Sequence, residues 1–155
     1  MTLPGGRPPI LVIAVGNPSR GDDAVGPLLA ERLATACIPG VEVLTDYQWQ
    51  VEHALDLEGR ARVIFVDASC EKEAAFTVRT LSPDAGSLHT SHALSPGHVL
   101  EAFRQVTGRL PPPAILLGVR ATSFELGAEP SLAAQRDSAL AWEKLRSLCQ
   151  EALAA

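Results

Sequence analysis

The chain of 155 residues carries 13 Lys and Arg against 18 Asp and Glu, a formal charge of −5, with 46% hydrophobic and 20% charged residues. That balance excludes wholesale disorder and supplies no basic face for nucleic acid or an acidic membrane, and no apolar run approaches the ~20 residues of a membrane span. One domain over 1–155 is expected from the length, and the opening MTLPGGRPPI lacks the apolar core of a secretion signal, which points to the cytoplasm.

Ile10–Val15 (ILVIAV) is a short continuous apolar run closed by Gly16-Asn17, the pattern of a central parallel strand buried on both faces. A polar loop follows, then a helical stripe at Val25, Leu28, Leu29, Leu33 and Ala36, with Pro39-Gly40 expected to stop it. Val41–Thr45 predicts a second strand, Gln50–Leu57 a short helix, and Arg62–Val66 a third strand ending at Asp67. Phe76–Leu81 alternates, with Arg79 on its polar side, as an edge strand does. Ser95-Pro96 predicts a helix start with Ser as cap and Pro in the first turn, and Gly108 its stop. Ala114–Val119 predicts a fifth strand, and Ser131 caps a long last helix. Strands alternating with helices imply an α/β fold: a three-layer α/β/α sandwich around a mostly parallel, about five-stranded twisted sheet with one antiparallel edge strand.

In such sheets ligands bind beyond the carboxyl ends of the strands. The segment Gly16 to Pro27 (GNPSRGDDAVGP) leaves the first strand there. Either Asp22 or Asp23 caps the helix, or the pair belongs to a site; Pro27 favours the second by starting the helix near Gly26. The segment is neither a dinucleotide fingerprint nor a nucleotide P-loop. Asp67 ends an apolar strand, where a carboxylate either opens an Asx turn or meets a donor or a metal. The loop H-T-S-H adds His89 and His92 before the third helix, with His98 inside it. His92 lies nearest the pinned end of that loop, and His89 and His98 are expected on the surface. Asp23, Asp67 and His92 together would offer two carboxylates and one imidazole, a set suited to Ni²⁺, Zn²⁺ or Mn²⁺. Cys37, Cys70 and Cys149 show no metal or redox spacing and are expected to be reduced thiols without a role.

These motifs, in this order, resemble the hydrogenase maturation endopeptidases, which remove a C-terminal extension from the large subunit of nickel-iron hydrogenases. The resemblance covers G-N-x-x-x-x-D-D-x-x-G (Gly16, Asn17, Asp22, Asp23, Gly26), Asp67-Ala68, the His92 loop, the L-L-G-V strand (Leu116–Val119) and F-E-L-G (Phe124–Gly127). It implies that Asp23, Asp67 and His92 are the catalytic and metal-contacting residues and that they touch nickel carried by the precursor, with Cd or Zn able to take its place in crystals. Some members have Glu at the first position, so Asp23 has an arm one methylene shorter. Asp46-Tyr47-Gln48-Trp49-Gln50-Val51-Glu52-His53 and His92-Ala93-Leu94-Ser95-Pro96 resemble the branch serving cytosolic, NAD-linked hydrogenases. The resemblance leaves open whether metal or carboxylate activates the water, since the family is also classed with aspartic peptidases, and it assigns nothing to Asp22, Asp46, Glu52 or His53.

The expected partner is therefore a hydrogenase large-subunit precursor, met by a monomer, with no nucleic acid and no membrane. Two other functions remain in view. One is a nickel-checking escort that does not cut; the other is a peptidyl-tRNA hydrolase-like esterase, whose leading strand also runs into G-N-P but which needs a histidine soon after and a basic face.

Overall fold

A computed structural model describes residues 6–86 and 94–155. Its strands are β1 (Ile10–Val15), β2 (Val41–Asp46), β3 (Arg62–Ser69), β4 (Phe76–Thr80) and β5 (Ala114–Arg120); its α-helices are α1 (Val25–Ala36), α2 (Pro96–Thr107) and α3 (Leu132–Ala154). Two 3₁₀ segments, Gly21–Ala24 and Val51–Leu57, complete the order.

The five-stranded sheet runs β2-β1-β3-β5-β4, parallel throughout except for β4, which lies antiparallel on β5 at one edge. Side chains of a strand alternate between faces, so β1 and β3 each feed two cores. Ile10, Val12, Ala14, Ile64 and Val66 point to one face, where Leu29 and Leu33 of α1 and Ala141, Trp142 and Leu145 of α3 cover them. Leu11, Ile13, Val15, Val63 and Phe65 point to the other, against Trp49, Ala54 and Leu57 and against Val99, Leu100 and Phe103 of α2. This is the expected α/β/α sandwich. The continuous apolar runs of β1 and β3 are the direct consequence of burial on both faces.

Several boundaries differ from expectation. α1 begins at Val25 and ends before Cys37, whose left-handed backbone (φ 49°, ψ 50°) closes it ahead of Pro39-Gly40. The segment expected as a helix over Gln50–Leu57 is 3₁₀ from Val51, and β3 continues two residues past Asp67 because Asp67, Ala68 and Ser69 pair with Gly118, Val119 and Arg120. Ser95 and Ser131 cap α2 and α3 as expected, their hydroxyl oxygens accepting from His98 N and Ala134 N.

Candidate active site

The turn that carries both aspartates is pressed onto the end of β1. Gly16 has φ +149°, and a Cβ there would stand 2.0 Å from the carbonyl oxygen of Asp23; one on Gly26 would stand 2.4 Å from that of Val15. Both glycines are therefore demanded by backbone-to-backbone approach. The Asn17 N–H then donates to Asp23 Oδ2 at 2.7 Å, tying the carboxylate over the strand end.

Asp22 turns the other way and is fully buried. Its Oδ2 accepts from Thr122 N (2.9 Å), Ser123 N (3.1 Å), Ser131 Oγ (3.0 Å) and, longer, Thr122 Oγ1 (3.4 Å), and its Oδ1 accepts from Ser131 N (2.7 Å). Burial pushes its pKa up, but the bonds from Thr122, Ser131 and Ser123 outweigh it and hold the group below the usual carboxylate range. Backbone bonds from Asp22 N to Ser123 O, Gly21 N to Ala128 O and Gly127 N to Ser19 O zip the first loop to the segment that includes F-E-L-G. Asp22 is thus a structural joint between β1, β5 and the start of α3, and it is satisfied without any ligand.

Asp67 shares the face of Val63 and Phe65, so alternation sends it beyond the apolar core toward Trp49 and Leu94. It is mostly buried, and its pKa is raised to about 6, first by burial and further by the charge of Asp23; the Ala68 N–H, which donates to the carboxylate at 2.8 Å, and the polar edge of Trp49 act in the opposite direction. Asp23 and Asp67 open on one cleft of about 350 Å³ lined also by Val15, Tyr47, Gln48, Trp49, Gln50 and Leu94. Two carboxylates that raise each other's energy in a half-dry cleft suit a cation or a shared proton.

Of the expected site residues, then, Asp23 and Asp67 come together. His92 and His89 lie outside the described residues, although Leu94, two positions after His92, lines the cleft. Among the described residues no group of three His, Cys, Asp or Glu is placed to hold a metal. His98, expected on the surface, is buried instead. Its Nδ1 accepts from Ser95 N (3.0 Å) and its Nε2–H donates to Gly86 O (2.7 Å), because a histidine at the third position of a helix can close a capping box. The wall residue Trp49 went unread as part of a site. Its only signal is one large aromatic between two glutamines just past a strand, which the pattern alone does not distinguish from a core residue.

The molecule is thus an α/β protein with an acidic cleft at the carboxyl end of a parallel sheet, the place where such folds do their chemistry. No protein-family model and no curated protein matches the chain. Solved structures do. The chain is 27% identical to the nickel-iron hydrogenase maturation protease HycI from Thermococcus kodakarensis, over 97% of this chain and 96% of that one, with a TM-score of 0.71. It is 25% identical to the hydrogenase maturating endopeptidase HybD from E. coli, over 92% of each chain, with a TM-score of 0.72. HybD from T. kodakarensis shares the fold at 20% identity, over 90% of this chain and 97% of that one, with a TM-score of 0.66. By fold and sequence together the chain resembles the hydrogenase maturation proteases.

Proposed function

We propose that this protein is an endopeptidase that removes a C-terminal extension from the nickel-loaded large-subunit precursor of a nickel-iron hydrogenase, in the branch serving cytosolic, NAD-linked enzymes. The observation that carries the reading is the convergence of Asp23 and Asp67, far apart in sequence, on one cleft at the sheet's carboxyl end. The likeness to HycI and HybD supports peptide hydrolysis in hydrogenase maturation, and the stretch from Asp46 to His53 supports the branch.

In this reading Asp23, Asp67 and His92 contact nickel that arrives as part of the substrate. The cleft matches that cargo chemically. Its carboxylates are hard oxygen donors, one of them half-desolvated and destabilised by the other's charge, so a divalent cation relieves an existing repulsion. Binding through the metal brings the adjoining peptide bond into the cleft, where a water polarised by the cation or by a carboxylate attacks it. A cation supplying much of the recognition energy makes the enzyme selective, since a precursor without nickel leaves the acidic cleft unneutralised.

The test is to incubate the protein with nickel-loaded and nickel-free precursor and measure the precursor's mass. Loss of one C-terminal peptide from the loaded form alone is expected. Equal cleavage of both removes the metal-reading role, and a stable complex at full mass identifies an escort.

A further inference from the structure

The wall of the cleft, Tyr47–Gln50, belongs to no strand or helix, so something else must set its shape. We infer that His53 is a positioning residue that, paired with Asp46, clamps this wall and through Trp49 sets the cleft around Asp67; the inference deepens the peptidase reading and rests on it.

The clamp is a closed circuit. At the first end of the wall, Tyr47 N–H donates to Asp46 Oδ1 at 2.7 Å. At the last end, Gln50 N–H donates to His53 Nδ1 at 3.0 Å. His53 Nε2–H, in turn, donates to Asp46 Oδ2 at 3.1 Å, closing the loop. The bond from Gln50 makes Nδ1 the acceptor, so the neutral ring with its proton on Nε2 satisfies both contacts. With 8% of its surface exposed, His53 reaches no substrate itself and acts only through its neighbours.

What the circuit positions is Trp49, in the middle of the wall. Its ring meets His53 edge-on (centroids 6.3 Å apart, 84°) and Phe65 edge-on (5.2 Å, 77°). Its side chain also lines the same cleft as Asp67 and lowers that carboxylate's pKa. Moving the His53 ring therefore moves the indole that shares the cleft lining with Asp67, and the wall with it. The contrast with His98 separates this role from plain helix capping. His98 closes the same kind of capping box, yet its outer nitrogen hydrogen-bonds the Gly86 carbonyl at 2.7 Å, with the Asp84 carboxylate farther off at 3.7 Å. At position 53 the acceptor is instead the carboxylate that holds the first residue of the wall.

Two substitutions split the circuit, because Asn places its oxygen near the position of histidine Nδ1 and Gln places its amide near Nε2. His53→Asn keeps the bond from Gln50 and loses Asp46; His53→Gln does the reverse. The experiment measures kcat and KM on nickel-loaded precursor together with the ¹⁵N–¹H resonance of the Trp49 indole. For His53→Ala the expectation is a fall in kcat of about 10- to 100-fold, from misplacement of the wall, with KM changed less than about threefold and the indole resonance displaced. His53→Asn and His53→Gln should each recover part of kcat and part of the shift, and both serve in place of the alanine variant if it does not fold. Leu145→Ala, in the core on the opposite face of the sheet, should lose stability while keeping kcat per folded molecule and the indole resonance. Wild-type kcat with an unmoved indole in the folded His53 variants overturns the inference. If the wild-type protein fails to cut loaded precursor, the peptidase reading falls by itself, and the indole alone then decides the clamp: displaced supports it, unmoved overturns it.

Discussion

Asp22 and Asp23 are neighbours in the chain and opposites in the fold. Asp22 is sealed among donors from Thr122, Ser123 and Ser131, residues about a hundred positions away, whereas the Asp23 carboxylate, among the described residues, accepts one backbone bond, from Asn17, and opens on the cleft. One carboxylate's charge is fully answered within the protein; the other's, among the described residues, meets only the Asn17 N–H. Their difference teaches that a buried acid held by hydrogen bonds supports the architecture, and that an acid crowded by a second acid is kept at a cost to stability for function.

That contrast can be broken most decisively at Asp23. Asp23→Asn should reduce processing of loaded precursor by about 10³-fold while the thermal midpoint stays close to wild type, because the amide oxygen can still accept from Asn17. A large loss of stability would instead make Asp23 a second structural joint. Asp22→Asn should do the reverse: whichever way the amide is turned, its NH₂ faces backbone N–H groups, so urea unfolding should show a loss of about 3 kcal/mol. Since the folded pKa of Asp22 is lowered, its contribution is complete above the ordinary carboxylate pKa and vanishes as acid protonates it in the fold. The wild type should therefore lose stability on acidification faster than Asp22→Asn.

Asp67 sharpens the comparison with the opposite sign. Its folded pKa, raised from 3.8 to about 6, lies above the unfolded value, so its penalty is absent at low pH and grows as pH climbs through that interval. Asp67→Asn should then stabilise the protein above pH 6, with an upper limit of about 3 kcal/mol at ~1.4 kcal/mol per unit, reduced by partial exposure and by the disturbed bond from Ala68 N–H. Processing should be lost at the same time. Denaturant melts across pH 4–7 check the slope, and a neutral-pH loss of stability would contradict it. The smallest effect is expected at Gly26, where Ala must push the turn off Val15 O; a cost of about 1–3 kcal/mol is expected from overpacking, with processing impaired beyond the stability loss because the turn carries Asp23.

Much of this architecture was legible along the chain. β1 and β3 announce themselves as unbroken apolar runs, Ser95 and Ser131 as caps, and β4 as an alternating edge, because burial on two faces, capping and one-sided exposure each leave a local mark. A site at the sheet's carboxyl end was also readable, from the Asp22-Asp23 pair in the loop that leaves β1 and from Asp67 near the end of β3, where an acid has no packing reason to be. The zipper between the first loop and the segment after β5 was not, since nothing local in Thr122 or Ser123 signals a partner about a hundred residues away. His98 misled for the same reason: a polar ring in a loop-to-helix transition looks exposed until its partners, the Ser95 N–H donating to one nitrogen and Gly86 O accepting from the other, are in place.

What the sequence determined by itself is periodicity and punctuation: which residues alternate, which stop a helix, which glycines admit close backbones. These are properties of neighbours within a few positions, and the polymer carries them wherever it goes. Only the tertiary structure decided which of two adjacent aspartates was consumed by hydrogen bonds and which faced the cleft, and that Trp49 and His53 stood beside Asp67. Burial, desolvation and the donors around a charge come from distant segments, so they do not exist until those segments meet.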